Sequence, residues 1–550
     1  MTKGIRVRPR EDAPALRSVL RFDEAQAVEF VARGWWREDT LSQWLARHAL
    51  ERPAAPALVH AGAVVSWKAL AERVERFAAG LRAAGVSAGD VVAVQLPNIP
   101  EFVVAYLAVC RLGAVMSTIH MPYRGSEFET LLRHSRARAI VCLSQAKDWS
   151  PAEAALELKA SIPTLRSVVA LGAPLAGTLA FPELAATTPH GLATVAGPLA
   201  GDPMLLLYTS GTTAAPKAVP HTYQTLLSNA RLGAPEHGIG PDSRVLSAAP
   251  FSHLFGLYSL HVCWSVGAAA VLLPAFTPPD LAQSVERDRP TALWTAPAHM
   301  AACRALGLFD KHDFSSLKLA IVSGSACPPE LMRWLAARLP GCAMTQLWGM
   351  TETQAALYTR PGDPLEVSAN STGRASPGTE VRVALAGDTE CVRGEEGELQ
   401  VRGCLAFPGF FDNEMANAAA FAPGAWYRTG DLATMDADGN VAITGRAKDV
   451  INRGGHKFNP RDVEDLLDSH PKVLQSAIVP MPDPVLGEKA CCFAVLRPGV
   501  AGLTLEELVD YLAERNIAKM KFPERLVVVN EMPLTPTRKI IKSRLKIPNP

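Results

Sequence analysis

Tyr208-Thr-Ser-Gly-Thr-Thr-Ala-Ala-Pro-Lys217 follows directly on the apolar run Met204-Leu-Leu-Leu207, so a strand pattern opens into a small hydroxylated loop that ends in a lysine. Gly211 lets the backbone approach an anion closely, Thr209, Ser210, Thr212 and Thr213 supply hydroxyl and N–H donors, and Lys217 adds a mobile positive charge. Polyphosphate is the ligand such a loop suits, although a Ser/Thr/Gly segment taken alone reads equally well as a surface turn. A kinase-type phosphate loop needs a glycine just before the lysine and a Ser or Thr just after it. Pro216 and Ala218 flank Lys217 instead, which disfavours that class.

Around this loop lie 550 residues, 48% of them hydrophobic, too many for one core and enough for two or three. The net charge of +1 gives no global reason to expect nucleic acid or an anionic membrane as partner, so any anion is bound locally. Ten cysteines are scattered without a CxxC pair or zinc-like spacing and read as buried thiols in a reducing compartment. The basic start, Met1 to Arg10, has no apolar stretch after it and is not a secretory signal, which makes the cytoplasm the simplest placement. The longest apolar stretch, about Leu257 to Phe276, is interrupted by His261 and Ser265 and reads as core helix plus strand, not as an integral membrane segment.

The chain alternates helical and strand patterns from Leu41 onward. Helices are expected at Leu41 to Leu50 and Trp67 to Ala84, and short strands at Ala57 to His60, Val91 to Val94, Ala139 to Cys142, Val245 to Ala248, Ala270 to Leu273, Ala292 to Trp294 and Leu319 to Ser323. That rhythm predicts an α/β fold whose strand ends aim loops at a ligand. After about residue 375 the texture becomes β-like, with a hairpin turning at Asp436-Ala-Asp-Gly439 and running into Gly445-Arg446. A small α+β domain is expected to begin around Lys448, dividing the chain into 1–447 and 448–550. The Ala-, Pro-, Thr- and Gly-rich stretch from about Gly172 to Gly201 reads as a connecting loop.

Four further segments bear on function: Trp348-Gly-Met-Thr-Glu352, Tyr427-Arg-Thr-Gly-Asp431, Gly445-Arg446-Ala-Lys-Asp449 and Pro533-Leu-Thr-Pro-Thr-Arg-Lys539. With the 208–217 loop they resemble, in order and over nearly the whole chain, the signatures of the adenylate-forming superfamily of acyl-CoA ligases, peptide-synthetase adenylation domains and luciferases. The resemblance implies a large multi-sheet α/β adenylation domain and a small, mobile α+β lid. It also implies a reaction in which a carboxylate, a poor electrophile, attacks ATP to give acyl-AMP and pyrophosphate before transfer to a thiol. ATP, Mg2+ and CoA are the cofactors so implied.

The resemblance gives each segment a role. The 209–217 loop holds phosphate. Trp348, with Gly349, Met350 and Thr351, meets adenine, as does the loop Ser323-Gly324-Ser325-Ala326 from the other side. Glu352 and Thr351 suit a magnesium ion that keeps most of its waters, whereas Glu352 alone reads as an acid at a helix N-terminus capped by Thr351. Asp431 can accept from both ribose hydroxyls, and Arg446 resembles a second ribose or phosphate contact. Lys448 is the interdomain hinge. Lys539 is the catalytic lysine bridging carboxylate and α-phosphate, with Lys217 and Glu352 beside it. Gly454, Gly455 and Lys457 resemble a CoA-lining loop. Two positions depart from the pattern: Arg538 and Ala214 stand where the family usually has glycine.

For the acid, His253, Phe255, Gly256, Pro297 and Gly324 line the implied acyl pocket. Ser252 stands where amino-acid-activating relatives carry an aspartate, so an α-amino acid is disfavoured and a neutral, apolar acid (aromatic, alicyclic or medium-chain) is favoured. The leading reading is an acid–CoA ligase. A sister reading loads a carrier-protein phosphopantetheine, as Gly34-Trp-Trp-Arg-Glu-Asp-Thr-Leu41 resembles that branch. A third is a non-catalytic nucleotide-binding protein that keeps the fold. A homodimer stays open.

Overall fold

The computed structural model describes residues 24–190, 192, 197–209, 217–535 and 539–548. Ser210, Gly211, Thr212, Thr213 and Ala214 of the phosphate loop, and Arg538, lie outside the described residues.

Two large sheets carry the N-terminal part. One has seven strands in the order Leu179–Ala180, Ser167–Leu171, Ala139–Leu143, Val91–Gln95, Val115–Thr118, Pro203–Thr209, Lys217–Thr222. Its strands are parallel except for the last pair, an antiparallel hairpin in which Thr209 faces Lys217. The other has nine, with a parallel centre from Pro56–His60 through Ala269–Leu272, Arg244–Ser247, Ala292–Thr295 and Leu319–Val322 to Ala343–Met350.

Between these sheets runs a shared layer of helices. Pro100–Arg111 is buried continuously from Phe102 to Cys110, and Leu254–Val266 from Gly256 to Trp264. A helix that is apolar all round is stable only with cover on every side, and here sheets and neighbouring helices supply it. This explains the long apolar stretch near Leu257: it is the helix Leu254–Val266 followed by the strand Ala269–Leu272. Among the described residues no helix is long and apolar enough to cross a membrane.

Part of the segment read as a connecting loop forms regular structure. It holds the strand Leu179–Ala180 and the helix Phe181–Ala185. Phe181 stacks on Phe77 with ring centroids 4.2 Å apart, and Gly80 leaves the space into which Leu184 packs. One buried aromatic contact orders a stretch whose local propensity is weak.

A third, antiparallel sheet follows residue 375, built on Thr379–Ala384, Gly397–Gly403 and Trp426–Met435, with Val441–Arg446 paired to the last. The expected hairpin is present and sets Asp431 directly across from Arg446. The last sheet belongs to a smaller C-terminal unit: Ile451–Arg453, His456–Phe458, Val473–Asp483, Gly487–Leu496 and Arg525–Val528, with its own apolar clusters around Ile478 and Phe493.

The small unit is seated against the large one by side chains reaching back across residues 447–449. Asn459 Nδ2 donates to the Thr444 carbonyl at 2.7 Å and Arg461 Nη1 to the Ile443 carbonyl at 2.6 Å. A Cβ on Gly445 would overlap the Asn459 amide. Gly445→Ala is therefore expected to weaken this seating by about 1 kcal/mol, the worth of one hydrogen bond, and to slow the first half-reaction roughly fivefold with little change in melting temperature. Unchanged pyrophosphate–ATP exchange would show that the Asn459 contact does not set the orientation.

Candidate active site

A cavity of about 2170 Å³ opens between the two units. Strand ends and loops of the large unit form most of its wall, and Leu534, Thr535, Lys539 and Lys542 of the small unit close it.

Asp431 lies mid-strand on Trp426–Met435 and is 4% exposed. Its Oδ1 is 2.7 Å from Arg446 Nε, and its Oδ2 accepts from Trp348 Nε1 at 2.8 Å. The Trp348–Asp431 bond was not foreseen from the sequence, because the two residues sit 83 positions apart. It holds the indole against the acid and fixes the plane of the ring that lines the cavity.

Glu352 is not at a helix N-terminus. It occupies the tight turn between the antiparallel strands Ala343–Met350 and Gln354–Tyr358. Gln354 takes a positive φ of 57°, and Gly349 brings its backbone against the Gln354 carbonyl, where any side chain would overlap. The Phe407 amide donates to the Glu352 carbonyl at 2.8 Å, and His221 Nε2 lies 2.6 Å from the Thr351 carbonyl. The carboxylate ends up 5% exposed. Burial raises its pKa above the ordinary carboxylate value, opposed by the Tyr427 hydroxyl, which donates to it, and by the charges of Lys217 and Arg446.

Lys217 begins the second strand of the hairpin that frames the phosphate loop, and its ammonium sits 4.8 Å from the centre of the Phe410 ring. Lys539 enters from the opposite wall. Its carbonyl accepts from the Thr535 amide at 2.7 Å, and its amide donates to Thr535 Oγ1 at 2.9 Å. Burial lowers its pKa, Arg446 lowers it further, and Asp431 and Glu352 oppose this. Four charged side chains drawn from sequence positions 352 to 539 thus sense one another in one cavity.

At the other end the lining turns apolar. Phe255, Pro297, Ala298, Ala301 and Gly324 line it, with His253 at the N-cap of Leu254–Val266. Arg304, the one charge on the helix Pro297–Ala305, lies over the Trp334 ring at 4.6 Å. Gly324 has a positive φ of 95° just beyond the strand Leu319–Val322. His253 Nδ1 accepts from the Phe255 amide at 3.2 Å, so its proton is on Nε2. His120, Tyr123, Asn229 and Tyr258 also line the cavity and were missed, since no local pattern marks them. His120 Nδ1 is 2.8 Å from Ser252 Oγ, and its ring stacks on His253 with centroids 6.4 Å apart. Burial pushes His120 down to about 4 and His253 to about 3, so both imidazoles are neutral at physiological pH. Gly256 does not reach the cavity; it allows the helix to pack on the Pro250 carbonyl.

The AMP-binding enzyme family model matches residues 45–411, and that of the AMP-binding enzyme C-terminal domain matches residues 462–539. The chain is an AMP-binding enzyme. It is 31% identical over 538 residues to a medium-chain fatty-acid–CoA ligase of Escherichia coli, covering 96% of this chain and 94% of that protein. It is 35% identical over 545 residues to a salicyl-AMP ligase/salicyl-S-ArCP synthetase of Mycobacterium tuberculosis, covering 97% and 95%. Among solved structures, an anthranilate CoA ligase in complex with anthranoyl-AMP superimposes with a TM-score of 0.83 at 26% identity over 92% of this chain and 96% of that one. These place the AMP-binding enzyme in the acyl/aryl-CoA synthetase branch of the adenylate-forming superfamily, with acid–thiol ligase chemistry.

Within this AMP-binding enzyme the cavity brings together Thr209, Lys217, Gly324, Ser325, Ala326, Trp348, Gly349, Met350, Thr351, Glu352, Asp431, Arg446, Lys448 and Lys539. It leaves out the loop assigned to CoA. Gly454 and Gly455 form the turn of the hairpin Ile451–Arg453/His456–Phe458, both at positive φ, and Lys457 is exposed outside the cavity. In this orientation of the small unit Lys539, not Lys457, faces Glu352, Asp431 and Arg446.

Proposed function

We propose that the protein is an ATP-dependent carboxylic acid–CoA ligase, with residues 1–447 as adenylation domain and 448–550 as lid. The observation that carries the reading is the meeting of Lys539 from the small unit with Glu352, Asp431 and Arg446 of the large one in one cavity whose far end is largely apolar. Lys217 and the hydroxylated loop take the phosphates, Asp431 takes the ribose hydroxyls, and Trp348 takes a face of adenine. Lys539 neutralises the carboxylate and the α-phosphate as they approach, when two anions would otherwise repel. His120 and His253, both neutral, stand beside Phe255, Pro297, Ala298 and Ala301, which supports an acid with an apolar body.

Among the described residues no group of three or more His, Cys, Asp and Glu side chains is placed to hold a metal. A single buried carboxylate, Glu352, nevertheless fits Mg2+, which keeps several waters and takes its other ligands from substrate phosphates. When bound, the ion would neutralise phosphate charge. Glu352→Gln is expected to raise the Mg2+ concentration needed for pyrophosphate–ATP exchange on the order of tenfold to a hundredfold. Exchange with unaltered Mg2+ dependence would reduce Glu352 to a turn residue.

Pyrophosphate release across a panel of aromatic, alicyclic and medium-chain acids, with CoA omitted and then added, tests the whole reading. Acid-dependent release, with acyl-CoA formed once CoA is present, is the expected result. Release that yields no acyl-CoA but charges a phosphopantetheinyl carrier protein would favour carrier loading, the reading suggested by the salicyl-S-ArCP synthetase relative.

A further inference from the structure

The apolar end of the cavity contains a buried acceptor that no other side chain among the described residues satisfies. Asn229, on the helix Tyr223–Glu236, is 2% exposed and lines the cavity with Phe255, Tyr258, Leu347 and Ala355. Its Nδ2 faces the Ala355 carbonyl at 3.4 Å, and its Oδ1 has no hydrogen-bond partner among the described residues. The amide cannot be turned end for end, because that would set its oxygen against the Ala355 carbonyl oxygen. Nor do the polar neighbours serve it. The Tyr258 hydroxyl is 2.9 Å from His237 Nε2, and the Gln354 amide donates to the Thr225 and Leu405 carbonyls at 3.0 and 2.6 Å. Buried amide carbonyls are almost always paired, so this one calls for a donor from the cavity.

The position of Asn229 along the acyl path says where that donor sits. His253, which senses the charge of Lys539, caps the helix Leu254–Val266, and Phe255 and Tyr258 follow on one face of it at i, i+3 spacing. From His253 to Tyr258 the helix rises about 7.5 Å, the span of one substituted ring. A carboxylate held at Lys539 therefore places the opposite end of the acid beside Tyr258 and Asn229. Burial holds His237 down to about 3, with the charge of Arg360 lowering it further, and Arg360 is itself paired with Glu236 at 2.7 Å. With those charges already matched, an uncharged donor suits the buried amide oxygen.

We propose that Asn229 is a specificity-determining residue whose Oδ1 accepts a hydrogen bond from a hydroxyl on the acid, remote from its carboxylate. The inference rests on the ligase reading above and narrows its substrate class to hydroxy-substituted carboxylic acids.

Matched pairs test it: benzoate against 3- and 4-hydroxybenzoate, and hexanoate against 6-hydroxyhexanoate, assayed by pyrophosphate release with the wild-type protein and with Asn229→Leu, a near-isosteric apolar change. The wild type is expected to prefer at least one hydroxylated acid over its parent by roughly tenfold to a hundredfold in kcat/KM. Asn229→Leu should abolish that preference, mainly by raising KM for the hydroxy acid relative to that for its parent. Equal use of both members of every pair by the wild type would overturn the proposal, and this arm needs no variant. Equal loss on both members in Asn229→Leu would make Asn229 a packing residue only. Absence of pyrophosphate release with any acid would instead remove the ligase reading, and this inference with it.

Discussion

Replacing Lys539 with alanine slows acyl-adenylate formation by on the order of 10²–10³-fold, the cost of losing one preorganised charge donor, while a presynthesised acyl-adenylate still reacts with CoA. The separation follows from geometry. Lys539 bonds to Thr535 through its backbone, and in this orientation its ammonium senses the charges of Asp431, Glu352 and Arg446. Its task arises when two anions approach each other, a situation that ends once the adenylate exists. Burial and Arg446 lower its pKa, so without substrate it loses its proton at lower pH than an ordinary lysine does. The sign is that of a cation: activity that needs the ammonium is present below this pKa and lost as pH rises through it. The wild-type pH profile of adenylation should accordingly show an alkaline fall that Lys539→Ala lacks. Pyrophosphate–ATP exchange measures the first step and thiolysis of added acyl-adenylate the second. Equal losses in both would mean that the substitution had damaged the small unit's fold.

Lys448→Pro is expected to abolish thioester formation while leaving adenylation within a few-fold of wild type. Lys448 lies in a single 3-10 turn, Ala447–Asp449, the short link between the units, and its side chain is exposed on the cavity wall. Proline fixes φ near about −65°, a value a 3-10 turn accepts, so the substitution should hold the link in the form it has here. This is the form in which Lys539 is in the cavity and the Gly454-Gly455 turn and Lys457 are not. If one cavity serves both half-reactions, the small unit has to rotate between them, and a locked link permits only the first. Steady-state turnover of acid, ATP and CoA should vanish while single-turnover adenylate formation persists. Turnover at the parent rate would place the swivel elsewhere or abolish it, and loss of both steps would mean that proline distorts Ala447 before it.

Most of the architecture was legible because it rests on local periodicity. Short apolar runs bounded by Gly, Ser or Pro became the parallel strands of the two large sheets, within a residue or two of their expected limits, and the turn at 436–439 became the hairpin that pairs Asp431 with Arg446. What escaped was order created by distant packing. The Gly172 to Gly201 stretch has no strong local signal, yet Phe181 and Leu184 are drawn onto the helix Trp67–Ala83 by Phe77 and by the space at Gly80. Glu352 was misread in one of its two local senses for a related reason. An acid after Thr resembles a helix start, and only the facing strand Gln354–Tyr358 shows that the chain turns back instead.

The sequence by itself determined the identities and order of the chemical groups: a hydroxylated loop ending in Lys217, an acid at Glu352, another at Asp431, and a lysine at Lys539, in the series that marks an adenylate-forming enzyme. Such groups are short-range signals, each written within a few residues. Tertiary structure alone decided their mutual geometry and the character of the acid site. The Trp348–Asp431 bond, the half-sheltered Lys539, the neutral His120–His253 pair and the unpartnered Asn229 carbonyl all depend on burial and on contacts between remote segments. Desolvation sets protonation states and leaves polar atoms wanting, and it is a property of the folded surroundings that no window of sequence contains.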